Sequence, residues 1–367
     1  MTRPSWPDTA HWLLEPTGSF KSHHDRWSLV PTRPELHRCH PIASLPNTPG
    51  LDIMTTDKRA HSLLGRARLY ARLRLSPIDS HLSCLIAWSM LSWKQLWSLQ
   101  AIFVAISSTI IVLLVEVSGL ALDDIRGYRD RSDFINYTAS DNSGLRDLKR
   151  KPLISGDLVT SDLKLIAALS FGVAVGTSAI LFFGFSNRPL WVILAALACC
   201  IIVFQYSSGI AFSYLTVLGG PMVLIIAAGS PVVLFYGLLT DKLPALVVIE
   251  SIIVGIWMVR ISAFSNIFDA AGDAEAGRHT AAVVLSRNGN FVFICLIWMI
   301  GNLTMPIGVL LGVADPRFLL LLVMAPAQLR EIFLLRRGAV LDARRLAFRQ
   351  YGVGVAILLC LNVAMAR

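Results

Sequence analysis

Charge is what this sequence has least of. Asp, Glu, Lys and Arg make up only 16% of the 367 residues, where a soluble domain carries about 25%. With 54% of residues hydrophobic, too little polar surface is left to cover a water-soluble globule. Paired cysteine chemistry is also missing. Cys84, Cys199, Cys200, Cys295 and Cys360 fall in apolar runs and Cys39 lies near the N-terminus; no CxxC or Cys/His spacing occurs. That excludes a zinc-ligand framework or a disulfide scaffold and leaves small core hydrophobes. The N-terminal stretch has no apolar h-region, so it does not read as a secretory leader.

What is there comes in long apolar blocks. Roughly 20 apolar residues span a bilayer, and the blocks at 81–98, 100–122, 163–184, 189–206, 215–238, 244–264, 291–312, 317–334 and 350–366 are candidate spans. The first is interrupted by Ser83, Ser89, Ser92 and Lys94. The expected fold class is therefore all-α, a polytopic membrane helix bundle of about nine transmembrane helices. The net charge of +9 does not indicate nucleic acid, because its basic residues collect in alternate loops as the positive-inside rule predicts. They cluster at 58–74, at Arg126, Arg129, Arg131, Arg146, Lys149, Arg150 and Lys151, and again from Arg330 to Arg349. Nine spans with that bias place the acidic loops after spans 2 and 6 in the cytoplasm, in an integral protein of the plasma membrane.

Residues 1–57 are expected to be a disordered or over-extended tail, with an alternative start at Met54, and residues 58–367 the membrane domain. Five of the eight histidines (His11, His23, His24, His37 and His40) lie in the tail, and a disordered segment explains them better than a metal site. "RARLYARLRL" (66–75) alternates basic and apolar residues and reads as an amphipathic helix at the cytoplasmic interface.

Chemistry concentrates in two acidic segments. In "SNIFDAAGDAEAGRHT" (265–280), Asn266, Asp269 and Asp273 are spaced three and four residues apart, so on a helix they share one face. Paired carboxylates of this kind suit Mg²⁺, which keeps waters and bridges to substrate phosphates, and Arg278 offers a cation for the same phosphate. "LDDIRGYRDRSD" (122–133) carries Asp123, Asp124, Asp130 and Asp133; the last two lie one turn apart if the helix continues. "KRKPLISGDL" (149–158) adds Lys149, Arg150 and Lys151 before a Pro–Gly turn, cations able to clamp a diphosphate. Each segment alone is also explained by solvated charges at helix ends or by ordinary loop topology. Together they suit an amphiphile with a diphosphate head and a hydrocarbon tail held between helices.

These segments resemble the UbiA superfamily of intramembrane prenyltransferases, most closely the menaquinone-type (1,4-dihydroxy-2-naphthoate prenyltransferase-like) branch. A second motif resembling N-x-x-D-x-x-x-D-x-x-x-G-K/R-x-T is matched at every position by Asn266, Asp269, Asp273, Gly277, Arg278 and Thr280. "KPLISG" is similar to the family's R-P-L-x-x-G turn, with Lys151 in the arginine's place. Tyr206, Ser207, Tyr214 and "LGGP" (218–221) resemble the loop after span 4, with Gly220 where the family has Glu. The first motif resembles N-D-Y-x-D-Y-x-x-G-x-D but departs from it: Asp123 replaces Asn, and Gly127 replaces a metal-binding Asp. The extra carboxylate of Asp123 is a candidate to offset that loss. The resemblance implies that Asp123, Asp124, Asp133, Asp269 and Asp273 bind Mg²⁺ and that Asp124, Asp133, Asp269 and Asp273 are catalytic. Asn266, Arg150, Lys151 and Arg278 would contact the diphosphate, and Tyr206 and Tyr214 the acceptor or the cation. The implied partners are a prenyl diphosphate, a small aromatic or phenolic acceptor and the bilayer. Two alternatives stay open: a UbiA-type terpene cyclase, in which the cation closes on its own chain, and a transporter. Few charges lie inside spans (Glu116, Glu250 and Arg260), which argues against transport.

Overall fold

The structure, a computed structural model, describes residues 62–75, 81–137, 148–184, 189–206, 208–209 and 211–366. The expected N-terminal tail, Cys39, Lys58, Arg59, Arg146 and Ser207 lie outside the described residues, as does the side chain of Lys149. The described residues are helical throughout, with no strand among them.

Helix α1 (Leu63–Arg74) begins at Ser62, whose side chain accepts from Gly65 N–H, satisfying a first-turn donor. The first candidate span is two short helices, α2 (Leu82–Ser89) and α3 (Trp93–Leu96). Its interrupting serines break it: Ser89 Oγ turns back to Ile86 O, and Ser92 starts a new helix in a capping box with Gln95. Then come α4 (Leu99–Arg129), α5 (Ser132–Asn136), α6 (Thr160–Gly184), α7 (Leu190–Phe204), α8 (Phe212–Leu215), α9 (Gly219–Thr240) and α10 (Ala245–Glu275). The chain finishes with α11 (Ala281–Val284), α12 (Arg287–Leu310), a 3-10 stretch Pro316–Met324 running into α13 (Ala325–Arg336), and α14 (Val340–Met365). Seven segments are long and apolar enough to cross a membrane: α4, α6, α9, α10, α12, the Pro316–Arg336 unit and α14. The 15-residue α7 is shorter.

Helix α10 is the hub, with 56% of its apolar stretch buried against 22% for α6 and for α12. It packs on α9, α12, α14 and α5, so its polar residues meet protein and not lipid. Val254, Phe264, Ala228, Val232, Ile294 and Tyr351 form the centre of the main core, and Tyr70, Ala121, Leu163 and Ile166 form a second core joining α1, α4 and α6. Leu99, Phe103, Ile106 and Ile110 on α4, like Ile180, Leu194 and Leu197, lie exposed around the bundle. Such a belt is tolerable only against hydrocarbon; the protein is an integral membrane protein. Two of the charges inside spans meet polar partners: Arg260 Nε lies 3.4 Å from Glu331 Oε2, and Glu250 accepts from Asn362 Nδ2 at 2.9 Å.

Candidate active site

Helices α4 and α10 are 31 residues each, about 46 Å at 1.5 Å per residue. Both therefore run past the hydrocarbon layer, and their last turns carry the two acidic segments to the same end of the bundle. The helix does not continue from Asp130 to Asp133. Arg131 adopts a left-handed conformation (φ 62°) that costs a non-glycine residue about 1–2 kcal/mol. It stands where the resembling motif has glycine, and it turns the chain into α5. Asp130 then caps α5, accepting from Ser132 N–H at 3.1 Å and from its hydroxyl at 2.7 Å.

That turn swings Asp133 back over α4, and Gly127 is what admits it. A Cβ on residue 127 would lie 2.5 Å from Asp133 Oδ2 and 2.6 Å from its Cγ. The space that an aspartate's stem would fill at 127 is thus occupied by the Asp133 carboxylate. Asp123, expected to offset the missing carboxylate, faces Arg278, 3.6 Å from Nη2. Lys151 Nζ sits between Asp124 Oδ1 and Asp133 Oδ1, 2.8 Å from each. It is held there by the turn after the one-turn 3-10 segment Leu148–Arg150, where Lys151 O accepts from Ile154 and Ser155 N–H and Gly156 takes φ 75°. Burial would lower the Lys151 ammonium, but Asp124 beside it holds it above its ordinary value. Burial pushes the Asp133 carboxyl up to about 6 despite Lys151. On its other oxygen Asp124 accepts from Tyr70 Oη at 2.9 Å and meets Arg74 Nε at 3.0 Å.

The second segment ends α10 in a Schellman turn. Arg278 N–H bonds to Asp273 O and Gly277 N–H to Ala274 O, with Gly277 at φ 73°. The turn folds the Arg278 side chain back, 3.7 Å from Asp273 Oδ1, while its Nε donates to Tyr214 Oη at 3.0 Å. Tyr214 Oη donates in turn to Asp130 Oδ2 at 2.5 Å, and the Arg126 guanidinium lies 4.6 Å over its ring. A second close approach joins the two segments. Gly272 N–H bonds to Asn136 Oδ1 at 3.1 Å, and a Cβ there would lie 2.6 Å from Ser132 O.

Beneath this cluster is a small cleft lined by Tyr206, Ser213, Thr216, Asn266, His279 and Phe293, among others. Desolvation, and after it the Asp123 carboxylate, push the Tyr206 phenol above its ordinary value, with Asp269 and Asp273 adding to the effect. The cleft and the carboxylates are therefore within electrostatic reach of one another.

Residues 82–353 match the UbiA prenyltransferase family. The chain belongs to that family. It is accordingly an enzyme, a membrane prenyltransferase. Solved structures of similar fold include a UbiA homologue from Aeropyrum pernix K1 (TM-score 0.59, 15% identity, covering 78% of this chain and 99% of that one). A digeranylgeranylglyceryl phosphate synthase is also similar (TM-score 0.54, 15% identity, 83% and 98% covered). So is a UbiA homologue from Archaeoglobus fulgidus bound to DMAPP and Mg²⁺ (TM-score 0.53, 14% identity, 83% and 97% covered). No curated protein sequence matches the chain.

In this UbiA-family prenyltransferase, the predicted residues form two clusters at one end of the bundle, Asp124, Lys151 and Asp133 in one and Asp123, Arg278, Asp273 and Tyr214 in the other, and Asn266 and Tyr206 line the cleft. Arg150, half-buried beside Lys151, forms no ion pair among the described residues. Sequence reasoning missed Tyr70, Arg74 and Asp130 as members of these clusters. Tyr70 and Arg74 are four residues apart, one helical face of "RARLYARLRL", and that spacing was the available signal. Helix α1 is more than an interfacial helix, since Tyr70 is fully buried against the site.

The donor set is oxygen only, the chemistry Mg²⁺ prefers. Among the described residues no three carboxylates converge closely enough to cage an ion. This fits an ion shared with a phosphate ligand and waters, the usual manner for Mg²⁺.

Proposed function

We propose that the protein ionises an isoprenyl diphosphate with Mg²⁺ at this site and transfers the prenyl group to a small, neutral aromatic or phenolic acceptor. The observation that carries the reading is the pair of cation-bridged carboxylate clusters, Asp124–Lys151–Asp133 and Asp123–Arg278–Asp273, above one cleft. Lys151, Arg278 and Arg74 already face carboxylates, so the cations alone leave little charge to neutralise a diphosphate and a divalent ion is needed. Asp123, Asp124, Asp133, Asp269 and Asp273 would hold the ion. When bound, Mg²⁺ supplies positive charge against the negative charge that builds on the leaving diphosphate.

The chain's own residues do the rest. Lys151 and Arg278 can turn from their carboxylates to phosphate oxygens, with Asn266 and Arg150 at the edge of the site, and stabilise the departing group. The apolar bundle below excludes water from the allylic cation. The cleft's lining carries no Asp, Glu, Lys or Arg, which suits a neutral acceptor, and the rings of Tyr206 and Phe293 offer faces for it and for the cation. Tyr214 positions Arg278. The homologue bound to DMAPP and Mg²⁺ supports the donor and ion by likeness, and the full match to the second menaquinone-type motif supports an aromatic acceptor.

A cytoplasmic site in the plasma membrane fits the basic residues in the first turns of α14: Arg344 Nε donates to Ser265 Oγ at 2.7 Å, which supports a basic, cytoplasmic side for the acidic end of α10. The test is Mg²⁺-dependent diphosphate release by Asp269→Ala and Asp273→Ala, each expected to fall by roughly 10²–10³-fold, with a product screen with and without aromatic acceptors. Undiminished turnover in both variants would sink the metal-site assignment, and a cyclic hydrocarbon formed without acceptor would sink the transferase reading.

A further inference from the structure

We infer that His279 is the base that takes the proton released when the prenyl cation is captured; the inference rests on the function proposed above. Capture at a ring carbon or a hydroxyl oxygen must end with loss of one proton. The diphosphate leaves with the electron pair of the allylic C–O bond. The acceptor atom forms its new bond to the prenyl carbon, and its C–H or O–H electrons stay with the acceptor as the proton departs. A fixed side chain in the cleft lining can receive that proton directly from the acceptor, without admitting water beside the cation.

His279 lines the cleft together with Tyr206, Ser213, Asn266 and Thr280. Its backbone N–H donates to Ser213 O at 3.1 Å, and its ring Nδ1 lies in hydrogen-bonding contact with the main-chain oxygen of Tyr214. A carbonyl oxygen can only accept. The proton therefore sits on Nδ1, and Nε2 keeps its lone pair. Two anchors to one short segment fix both the place of the ring and its tautomer, which is the arrangement a general base requires.

The alternatives in the cleft fall away on chemistry. The Tyr206 phenol is held above its ordinary value and is a donor. Ser213, Thr216, Ser262 and Thr280 offer hydroxyls and Asn266 an amide, none of which takes a proton near neutral pH. The carboxylates are outside the lining: Asp124 and Asp133 face Lys151, Asp123 and Asp273 face Arg278, and Asp269 is assigned to the ion. The titratable and charged groups beside His279 are Arg278 on its own segment and, from the stretch between α7 and α9, Tyr214, whose main-chain oxygen the ring meets, and Tyr206, which shares the cleft lining. Its chain neighbour Arg278 carries the proposed leaving-group contact, and both side chains meet Tyr214, Arg278 at the hydroxyl and His279 at the main-chain oxygen. The side chain is also exposed to solvent, so the imidazolium can pass its proton to water after product leaves. In the motif that this segment resembles, position 279 is unspecified, so the assignment belongs to this chain.

The experiment uses the full chain in lipid nanodiscs. Binding of a non-ionising prenyl thiodiphosphate with Mg²⁺ is measured beside kcat for His279→Gln and His279→Ala. Both variants are expected to bind within about twofold of the parent, showing that the site is folded, and to lose roughly 10²–10⁴-fold in kcat, the usual contribution of a general base. Added imidazole should restore at least about tenfold of the His279→Ala loss, in proportion to its unprotonated fraction. Parental kcat in His279→Gln, or a loss in His279→Ala that imidazole leaves untouched, overturns the inference. If the parent binds no thiodiphosphate, the proposed function itself fails, which is a separate outcome.

Discussion

Replacing Gly127 by alanine adds one methyl group and tests how the first acidic segment is built. The new Cβ would lie 2.5 Å from Asp133 Oδ2, 2.6 Å from Cγ and 2.9 Å from Oδ1, well inside van der Waals contact. Residue 127 is fixed in the helical backbone of α4, so the Asp133 carboxylate must rotate away. Lys151 then loses one of its two carboxylates, a charge-assisted bond worth about 1.5–3 kcal/mol. At 1.4 kcal/mol per decade, that corresponds to roughly a 10- to 150-fold fall in the ratio of folded to unfolded protein, read from denaturant or thermal unfolding of parent and variant. The decisive measurement is a double-mutant cycle. In an Asp133→Ala background the carboxylate is already gone, and Gly127→Ala should then cost under about 0.5 kcal/mol. Equal effects of Gly127→Ala in both backgrounds, or no effect in the parent, would refute the reasoning.

Further outcomes follow from the same geometry. Tyr70→Phe removes the hydroxyl that donates to Asp124 and should cost about 1.5–3 kcal/mol of α1 docking, read as faster trypsin cleavage within residues 66–74; an unchanged cleavage rate would contradict it. Arg260→Met leaves Glu331 buried and alone, and is expected to cost about 3–5 kcal/mol in stability, measured as a lower thermal-inactivation midpoint. The Arg260→Met/Glu331→Leu double substitution should recover most of that loss. A double variant as unstable as the single would show that the pair does more than neutralise itself.

Much of the protein was legible in the residue order. Apolar runs of bilayer length reported the membrane bundle because hydrocarbon tolerates only helices that satisfy their own backbone. The Asn266–Asp269–Asp273 face was legible because 3.6-residue periodicity alone aligns those side chains. Gly277 and Arg278 were legible because a Schellman turn is a local structure, made of neighbours in sequence. The broken first span followed from serines that bond the backbone within their own turn.

Only the tertiary structure decided what fills the space beside Gly127. The answer depends on the left-handed Arg131 and on the packing of Gly272 against Ser132 and Asn136, contacts between residues as many as 140 positions apart. Lys151, Arg74 and Tyr70 meet Asp124 for the same reason: their pairing is set by the docking of α1 and the 148–158 turn on α4, and no local spacing encodes it. Whether a carboxylate faces Lys151, as Asp133 does, or Arg278, as Asp123 does, is a matter of three-dimensional distance, and periodicity along one helix carries no information about it.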